Sequence, residues 1–243
     1  AKKQRLIELL EEQKTILINQ AVTKGLNPNA IMKDSGIEWI GEIPEHWRIS
    51  KIGHYAKVSN GSTPSRDRVE YWKGGKIAWL SSGKVNESRI KEPSELITAK
   101  ALKECSIRIY PKGSVVIGLV GQGKTRGTSS ILEIEACINQ NMAAIETNKN
   151  LIGDFLLSFL TQAYKVIRNY GKGGNQEALN CELVRSFKVV IPPINEQKKI
   201  IEYSEKIEKQ SSELLQLFLL EIDKLTELKQ ILIAEIVTGK IKV

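Results

Sequence analysis

The sequence predicts an α+β chain: a mixed, strand-rich middle domain over residues 32–195, with a helical segment at 1–31 and a long helical region at 196–243. Three observations predict it. Apolar residues recur at helical spacing at both ends. The middle consists of short apolar runs broken by Gly, Ser, Asn and Pro clusters. The texture then changes abruptly after Ile191-Pro192-Pro193.

At the start of the chain, Ile7, Leu10, Leu17 and Ala21 form a stripe interrupted once by Lys14. That period belongs to an amphipathic helix packed on a partner helix. In the middle, Lys76-Ile-Ala-Trp-Leu80, Ser114-Val-Val-Ile-Gly118 and Phe187-Lys-Val-Val-Ile191 read as strands, and residues 151–170 as a helical interlude. Trp39, Trp47, Trp79 and Tyr110 are expected to be core aromatics. After Pro193, Asn195 is the expected N-cap and Glu196 suits the positive end of the helix dipole. No Pro or Gly then occurs until Gly239. Ile200, Ile207, Leu214 and Phe218 keep roughly heptad spacing before the stripe shifts to Ile222, Leu225, Leu232 and Ile236. A continuous helix over 196–237 would be about 63 Å long at ~1.5 Å per residue, too long for a core helix and suited to a coiled-coil-like arm.

The two ends are copies of one another. Residues 7–23 align without a gap on residues 222–238, and nine of the seventeen positions are identical. They include Ile7, Leu10, Lys14, Leu17 and Val22, matched by Ile222, Leu225, Lys229, Leu232 and Val237. Duplication explains this better than shared amphipathicity.

Lys and Arg number 36 against 28 Asp and Glu, giving a net charge of +8 and a pI near 9.3. The excess is local. Residues 32–195 hold 23 basic against 16 acidic side chains, while 196–243 hold 8 against 9. Attraction to a polyanion therefore belongs to the middle of the chain. Cys105, Cys137 and Cys181 form no Cys-x-x-Cys pair, which argues against a disulfide framework or zinc site and for a cytoplasmic setting. No apolar run approaches the ~20 residues that span a bilayer, so no membrane partner is expected. The chain begins at Ala1 rather than Met, as a fragment or a trimmed chain would.

One nucleotide-binding pattern is present. Gly118-Leu-Val-Gly-Gln-Gly-Lys124-Thr125 fits the phosphate-binding loop G-x-x-x-x-G-K-[ST] and follows a strand-like run. A working site needs a helix starting at its Lys-Thr. Arg126-Gly-Thr-Ser-Ser130 is poor helix material instead, and a P-loop nucleotide-binding protein is held only as the alternative reading. The same residues suit DNA better, because Gln122, Lys124, Thr125 and Arg126 offer donors and acceptors for base edges and phosphates. Three further loops share this character. Residues 60–68 bring Ser62, Thr63, Ser65, Arg66 and Arg68; residues 81–86 bring Ser82 and Lys84; residues 171–176 bring Lys172, Asn175 and Gln176. Arg and Lys suit guanine, and Asn and Gln suit adenine, through paired hydrogen bonds. No catalytic residues, bound cofactor or metal site is expected: His46 and His54 stand apart from Cys or carboxylate partners at ligand spacing, and no hydrolase elbow appears.

Several segments resemble one known family. They are Ser35-Gly-Ile-Glu-Trp-Ile-Gly-Glu-Ile-Pro-Glu-His-Trp47, Asn60-Gly-Ser-Thr-Pro-Ser65, Ile138-Asn-Gln-Asn-Met-Ala-Ala144, Val190-Ile-Pro-Pro-Ile-Asn-Glu-Gln197 and Ile236-Val-Thr-Gly-Lys-Ile241. Together they resemble the specificity subunits of type I restriction–modification enzymes. The resemblance implies a target-recognition domain at 32–195, helices from two conserved regions packed antiparallel, and no catalysis by this chain. It also implies partners: double-stranded DNA, methyltransferase subunits that bring S-adenosylmethionine, and a restriction subunit that brings ATP. Full-length members carry two recognition domains. With only one, this chain looks like half of such a subunit, and a homodimer could restore a two-part reader with a palindromic target.

Overall fold

The computed structural model describes residues 2–121, 123–170 and 178–238. The chain divides into two units. One is Gln20–Ile201; the other joins Ala1–Asn19 with Glu202–Val243. No helix among the described residues is long and apolar enough to cross a membrane.

The helical unit is built from most of α1 (Lys2–Lys24) and most of α6 (Ile194–Val237). On α1 the predicted stripe is the sheltered one: Ile7, Leu10, Lys14 and Leu17 are half-buried, while Leu6, Leu9 and Ile16 face water. Lys14 interrupts the stripe yet stays in it, because its stem packs and its ammonium reaches Glu11. On α6 the sheltered positions are Ser204, Ile207, Ser211, Leu215, Phe218 and Ile222, a heptad-like series with two small residues. An ion pair between Lys3 and Glu221 ties the beginning of α1 to α6. Beyond it the α6 side chains are open: Leu225 and Leu228 are each 55% exposed, and Leu232 and Ile236 nearly as much.

Within the larger unit, a five-stranded sheet has the order β4-β11-β8-β9-β6, formed by Ala56–Asn60, Met142–Thr147, Val115–Gly118, Ser129–Leu132 and Arg89–Ile90. Its pairs are antiparallel except β6 with β9, which is parallel. A three-stranded sheet places β5 (Ile77–Leu80) between β10 (Cys137–Ile138) and β7 (Glu95–Ile97). β3 (Arg48–Lys51) pairs antiparallel with β12 (Lys188–Ile191), and β1 (Met32–Asp34) with β2 (Glu42–Pro44). The short helices are α2 (Ala99–Glu104), α3 (Gly153–Gln162), α4 (Tyr164–Asn169) and α5 (Cys181–Ser186). All four residues of β8, and all four of β9, are buried, which is why these stretches read as continuous apolar or small-residue runs rather than alternating ones. Val116, Leu132, Ile138, Met142 and Ala144 form one core cluster with Leu80 and Tyr110, and another gathers around Trp79, Tyr71 and Ile97. Trp47, Trp79 and Tyr110 are core aromatics as expected, while Trp39 is half-buried against Phe159.

The entry into α6 differs from expectation in one detail. Asn195 lies inside the first turn rather than capping it. The Pro193 carbonyl accepts from both Glu196 N and Gln197 N, at 2.9 and 3.0 Å. Proline has no N–H to leave unpaired, so it fits just before the first helical residue. The next two residues fasten this turn. Glu196 accepts from Trp47 Nε1 at 2.9 Å and meets His46 Nε2 at 2.7 Å. Gln197 is fully buried; it donates to Pro192 O at 2.8 Å and Asn150 O at 3.0 Å, and accepts from Ile152 N at 2.9 Å. The Pro-Pro-x-x-Glu-Gln sequence is therefore a mechanical joint.

Candidate nucleic-acid interface

Strand register brings the predicted reading loops together. In the five-stranded sheet Asn60 lies opposite Ala143, Met142 opposite Gly118, and Ile117 opposite Ser129. The end of β4, the end of β8, the start of β9 and the start of β11 thus share one end of the sheet. Residues 60–68, 119–128 and 139–141 all issue from it. Leu80 pairs with Ile138, and Asn139 N donates to Leu80 O at 3.0 Å, which sets residues 81–86 beside the same end. The loop 171–176, with Lys172, Asn175 and Gln176, lies outside the described residues, as does Gln122.

Residues 60–68 are held by the core. A Cβ on Gly61 would stand 1.8 Å from Ile138 O, so only glycine allows this approach. Ser62 N donates to Ile138 O, Trp79 Nε1 to Ser62 O and Trp72 Nε1 to Ser65 O, each at 3.0 Å. Thr63 Oγ1 donates to Gln140 Oε1. The Asn-Gly-Ser-Thr-Pro-Ser and Ile-Asn-Gln-Asn motifs, far apart in sequence, are therefore one structural feature. Gln140, which the sequence offers only within the Ile-Asn-Gln-Asn segment, thus stands beside the candidate residue Thr63.

The predicted cations have distinct surroundings. Arg66 lies 3.8 Å over the Trp72 ring and grips Glu95 with both terminal nitrogens, at 2.6 and 2.8 Å. Those hydrogen bonds hold the Glu95 carboxyl below its usual range and raise the Arg66 guanidinium. Arg68 bonds Glu70 and the Tyr71 hydroxyl and reaches Glu104 at 3.4 Å. The Tyr71 hydroxyl donates to Glu104, which pushes its pKa up to about 12. Ser82 opens a 3₁₀ turn, Ser82–Asn86, from which Lys84 reaches Glu87 at 2.7 Å. Arg126, expected at the surface, is only 6% exposed, because it bridges back to Gly118 as the loop closes onto the sheet. Among the described residues, Lys124 is the predicted cation that is exposed and has no ion pair.

The nucleotide-binding alternative fails at the point where it needed a helix. After Thr125 the chain makes a bridge at Arg126 and then enters β9. Gly118 N donates to Thr128 O at 3.0 Å and Gly127 N to Gly118 O at 2.9 Å, closing a loop against β8. From α4, Arg168 donates to Arg126 O at 3.0 Å and the Tyr164 hydroxyl to Lys124 O at 3.3 Å. Among the described residues no helix begins at Lys124-Thr125, where a phosphate-binding loop needs one.

The comparisons with known proteins agree with this architecture. The family model described as type I restriction modification DNA specificity domain matches residues 44–224. The EcoR124I/EcoR124II specificity subunit of Escherichia coli is 25% identical over 179 residues, covering 72% of this chain and 42% of that protein. The MjaIX specificity subunit of Methanocaldococcus jannaschii is 29% identical over 196 residues, covering 76% and 44%. The HsdS subunit from Thermoanaerobacter tengcongensis has the same fold, with a TM-score of 0.66 at 18% identity over 95% of this chain and 52% of that one. A chain from a type I restriction–modification assembly gives 0.70 at 18% identity, over 96% and 53%. The chain thus spans about half the length of the relatives it matches. With a family model covering most of its length and both sequence motifs joined in one structural feature, the chain belongs to the type I restriction–modification DNA specificity family.

Proposed function

We propose that this chain reads DNA sequence as one half of a type I specificity subunit and directs partner subunits to the site without catalysis of its own. The observation that carries this is the gathering of basic, hydroxyl- and amide-bearing loops at one end of the five-stranded sheet. Backbone phosphates would fix the register, and base edges would be read by the side chains between. Arg66, stacked on Trp72 and squared by Glu95, is suited to paired contact with guanine; Thr63 and Gln140 offer an adjacent polar pair. S-adenosylmethionine and ATP would be bound by the methyltransferase and restriction subunits. A cytoplasmic setting follows from such a role.

The open apolar face of α6 beyond Ile222 supports a helical partner. It would be supplied by the other half of a longer subunit or by a second copy in a homodimer, which would space two readers along a two-part target. Titration of labelled duplexes at several salt concentrations, with ATP hydrolysis measured alongside, tests the proposal. Salt-sensitive binding without turnover is expected, and sedimentation would show self-association. Oligomers with no affinity for any duplex would refute it in favour of a coiled-coil adaptor.

A further inference from the structure

A cavity of about 550 Å³ opens beside the loop end of the sheet, between the 3₁₀ turn that carries Lys84, the 124–129 loop and the junction of α3 with α4. It is large enough for a small ligand. Its lining divides by chemistry. Val85, Gly127 and the Tyr164 ring are apolar, while Asn86, Ser88, Lys124 and Ser129 carry hydrogen-bond donors. Among the described residues no carboxylate lines it, and Glu87, which adjoins the lining residues Asn86 and Ser88, is engaged by Lys84.

We propose that this cavity is a phosphate anchor: it receives one backbone phosphate of double-stranded DNA with its flanking deoxyriboses. The inference rests on the DNA-reading role and specifies how one part of that surface works. Two independent observations carry it. Ser129 is 8% exposed, lines the cavity, and its hydroxyl has no hydrogen-bond partner among the described residues. A buried hydroxyl left unpaired is costly; this one is closed off from solvent in the unbound chain, and a small shift of the cavity wall would open it to an acceptor from outside. Lys124 stands exposed on the same cavity with no ion pair to any described residue, whereas Arg66, Arg68 and Lys84 are each matched to a glutamate.

The donor inventory selects the ligand. Thr128 and Thr161 have already spent their hydroxyl hydrogens on Lys124 O and Leu157 O, and Tyr164 has given its own to Lys124 O. What remains free is the Lys124 ammonium, the Ser129 and Ser88 hydroxyl hydrogens, and the second amide hydrogen of Asn86, whose first goes to Gly83 O. A group that only accepts hydrogen bonds and bears negative charge satisfies all of these at once, and a phosphodiester is such a group. Val85 and the Tyr164 ring would then lie against the sugars. Because phosphates carry no base identity, this site fixes where the reader sits on the duplex and leaves the choice of sequence to the neighbouring loops.

The test uses the full chain and duplexes drawn from a random-sequence pool, with affinity measured across a range of salt. Lys124→Ala is expected to weaken binding to every sequence alike and to reduce the slope of log affinity against log salt by ~0.9, the value for one released counterion. Ser129→Ala is expected to lose about five-fold in affinity while thermal stability holds or rises, since the hydroxyl has no internal partner to lose. Thr161→Trp, an exposed position at the rim, should fill the cavity and reproduce the loss. Replacing duplex phosphates singly with methylphosphonate should reveal one position that weakens the wild-type chain but costs the Lys124→Ala variant nothing further. An unchanged salt slope in Lys124→Ala, or wild-type affinity in Ser129→Ala, overturns the anchor while DNA reading stands. Stabilisation by inorganic phosphate at matched ionic strength, with the DNA slope unaltered, assigns the cavity to a free anion instead and overturns it too. A wild-type chain that binds no duplex at any salt refutes the reading itself along with the anchor.

Discussion

Replacing Gln197 by Met probes the joint at the head of α6. The side chains are similar in length, so packing is largely kept and the change isolates three hydrogen bonds. Two of them end on the carbonyls of Pro192 and Asn150, and the third begins at Ile152 N, just before α3. The amide is fully buried, so water cannot take its place. A buried hydrogen bond contributes ~1 kcal/mol net, and each orphaned partner costs about 1–3 kcal/mol. Partial relaxation of the carbonyls, each with a second lone pair, puts the sum at roughly 3–5 kcal/mol. For a chain of this length that corresponds to a fall in melting temperature of roughly 6–20 °C. The assay is urea and thermal unfolding followed by circular dichroism, with the urea m-value expected to stay constant. Glu196→Gln is the control: Glu196 is partly exposed and His46 exposed, and the glutamine oxygen can still accept from the buried Trp47 Nε1, so a loss of about 1 kcal/mol or less is expected. A Gln197→Met chain within ~0.5 kcal/mol of wild type would show that these bonds do not hold the joint, and the account of the Pro-Pro-x-x-Glu-Gln motif would fall.

Three further outcomes are expected. Gly61→Ala drives a methyl into Ile138 O, which is backbone and cannot swing aside; it should destabilise by about 3 kcal/mol or more in urea unfolding, comparable to other severe core changes, and a neutral result would mean that the two motif loops are not in contact. Glu95→Ala removes a negative charge from the proposed DNA surface, so general affinity should rise; if Glu95 squares Arg66 against a base, selection from random duplexes should nonetheless lose preference at one position, the same position lost in Arg66→Ala, and an unaltered consensus would reduce the pair to a surface ion pair. Burial pushes the Cys137 thiol from 9.0 up to about 11, so the folded chain keeps a proton that the unfolded chain releases; this contribution to stability is intact below pH 9 and is lost as pH rises towards 11. Cys137→Ala should flatten that decline relative to wild type, and parallel stability curves for the two chains between pH 8.5 and 11 would contradict it.

Much of the fold was legible in the sequence because helices and buried strands declare themselves locally. The stripe of Ile7, Leu10, Lys14 and Leu17 is the sheltered face of α1, and the run without Pro or Gly after Pro193 is one helix. The apolar runs ending at Leu80, Gly118 and Ile191 are strands. The chemistry of the loops was legible too, since side-chain type alone says what a group can donate. Their company was not. Asn60 and Ala143 are opposite one another through strand register, which no short window reports. Glu95 reaches Arg66 from 29 positions away, turning a predicted free cation into an oriented one. Arg126 reads as a surface residue by type and is buried because its loop folds back on Gly118. The cavity beside Lys124 draws its walls from three separate stretches of chain, so neither its shape nor the unpaired hydroxyl of Ser129 leaves any trace in a linear pattern. The sequence by itself determined what each segment is and what each side chain can offer, because those depend on neighbours a few residues away. Which offers meet was decided only by long-range strand pairing and close packing.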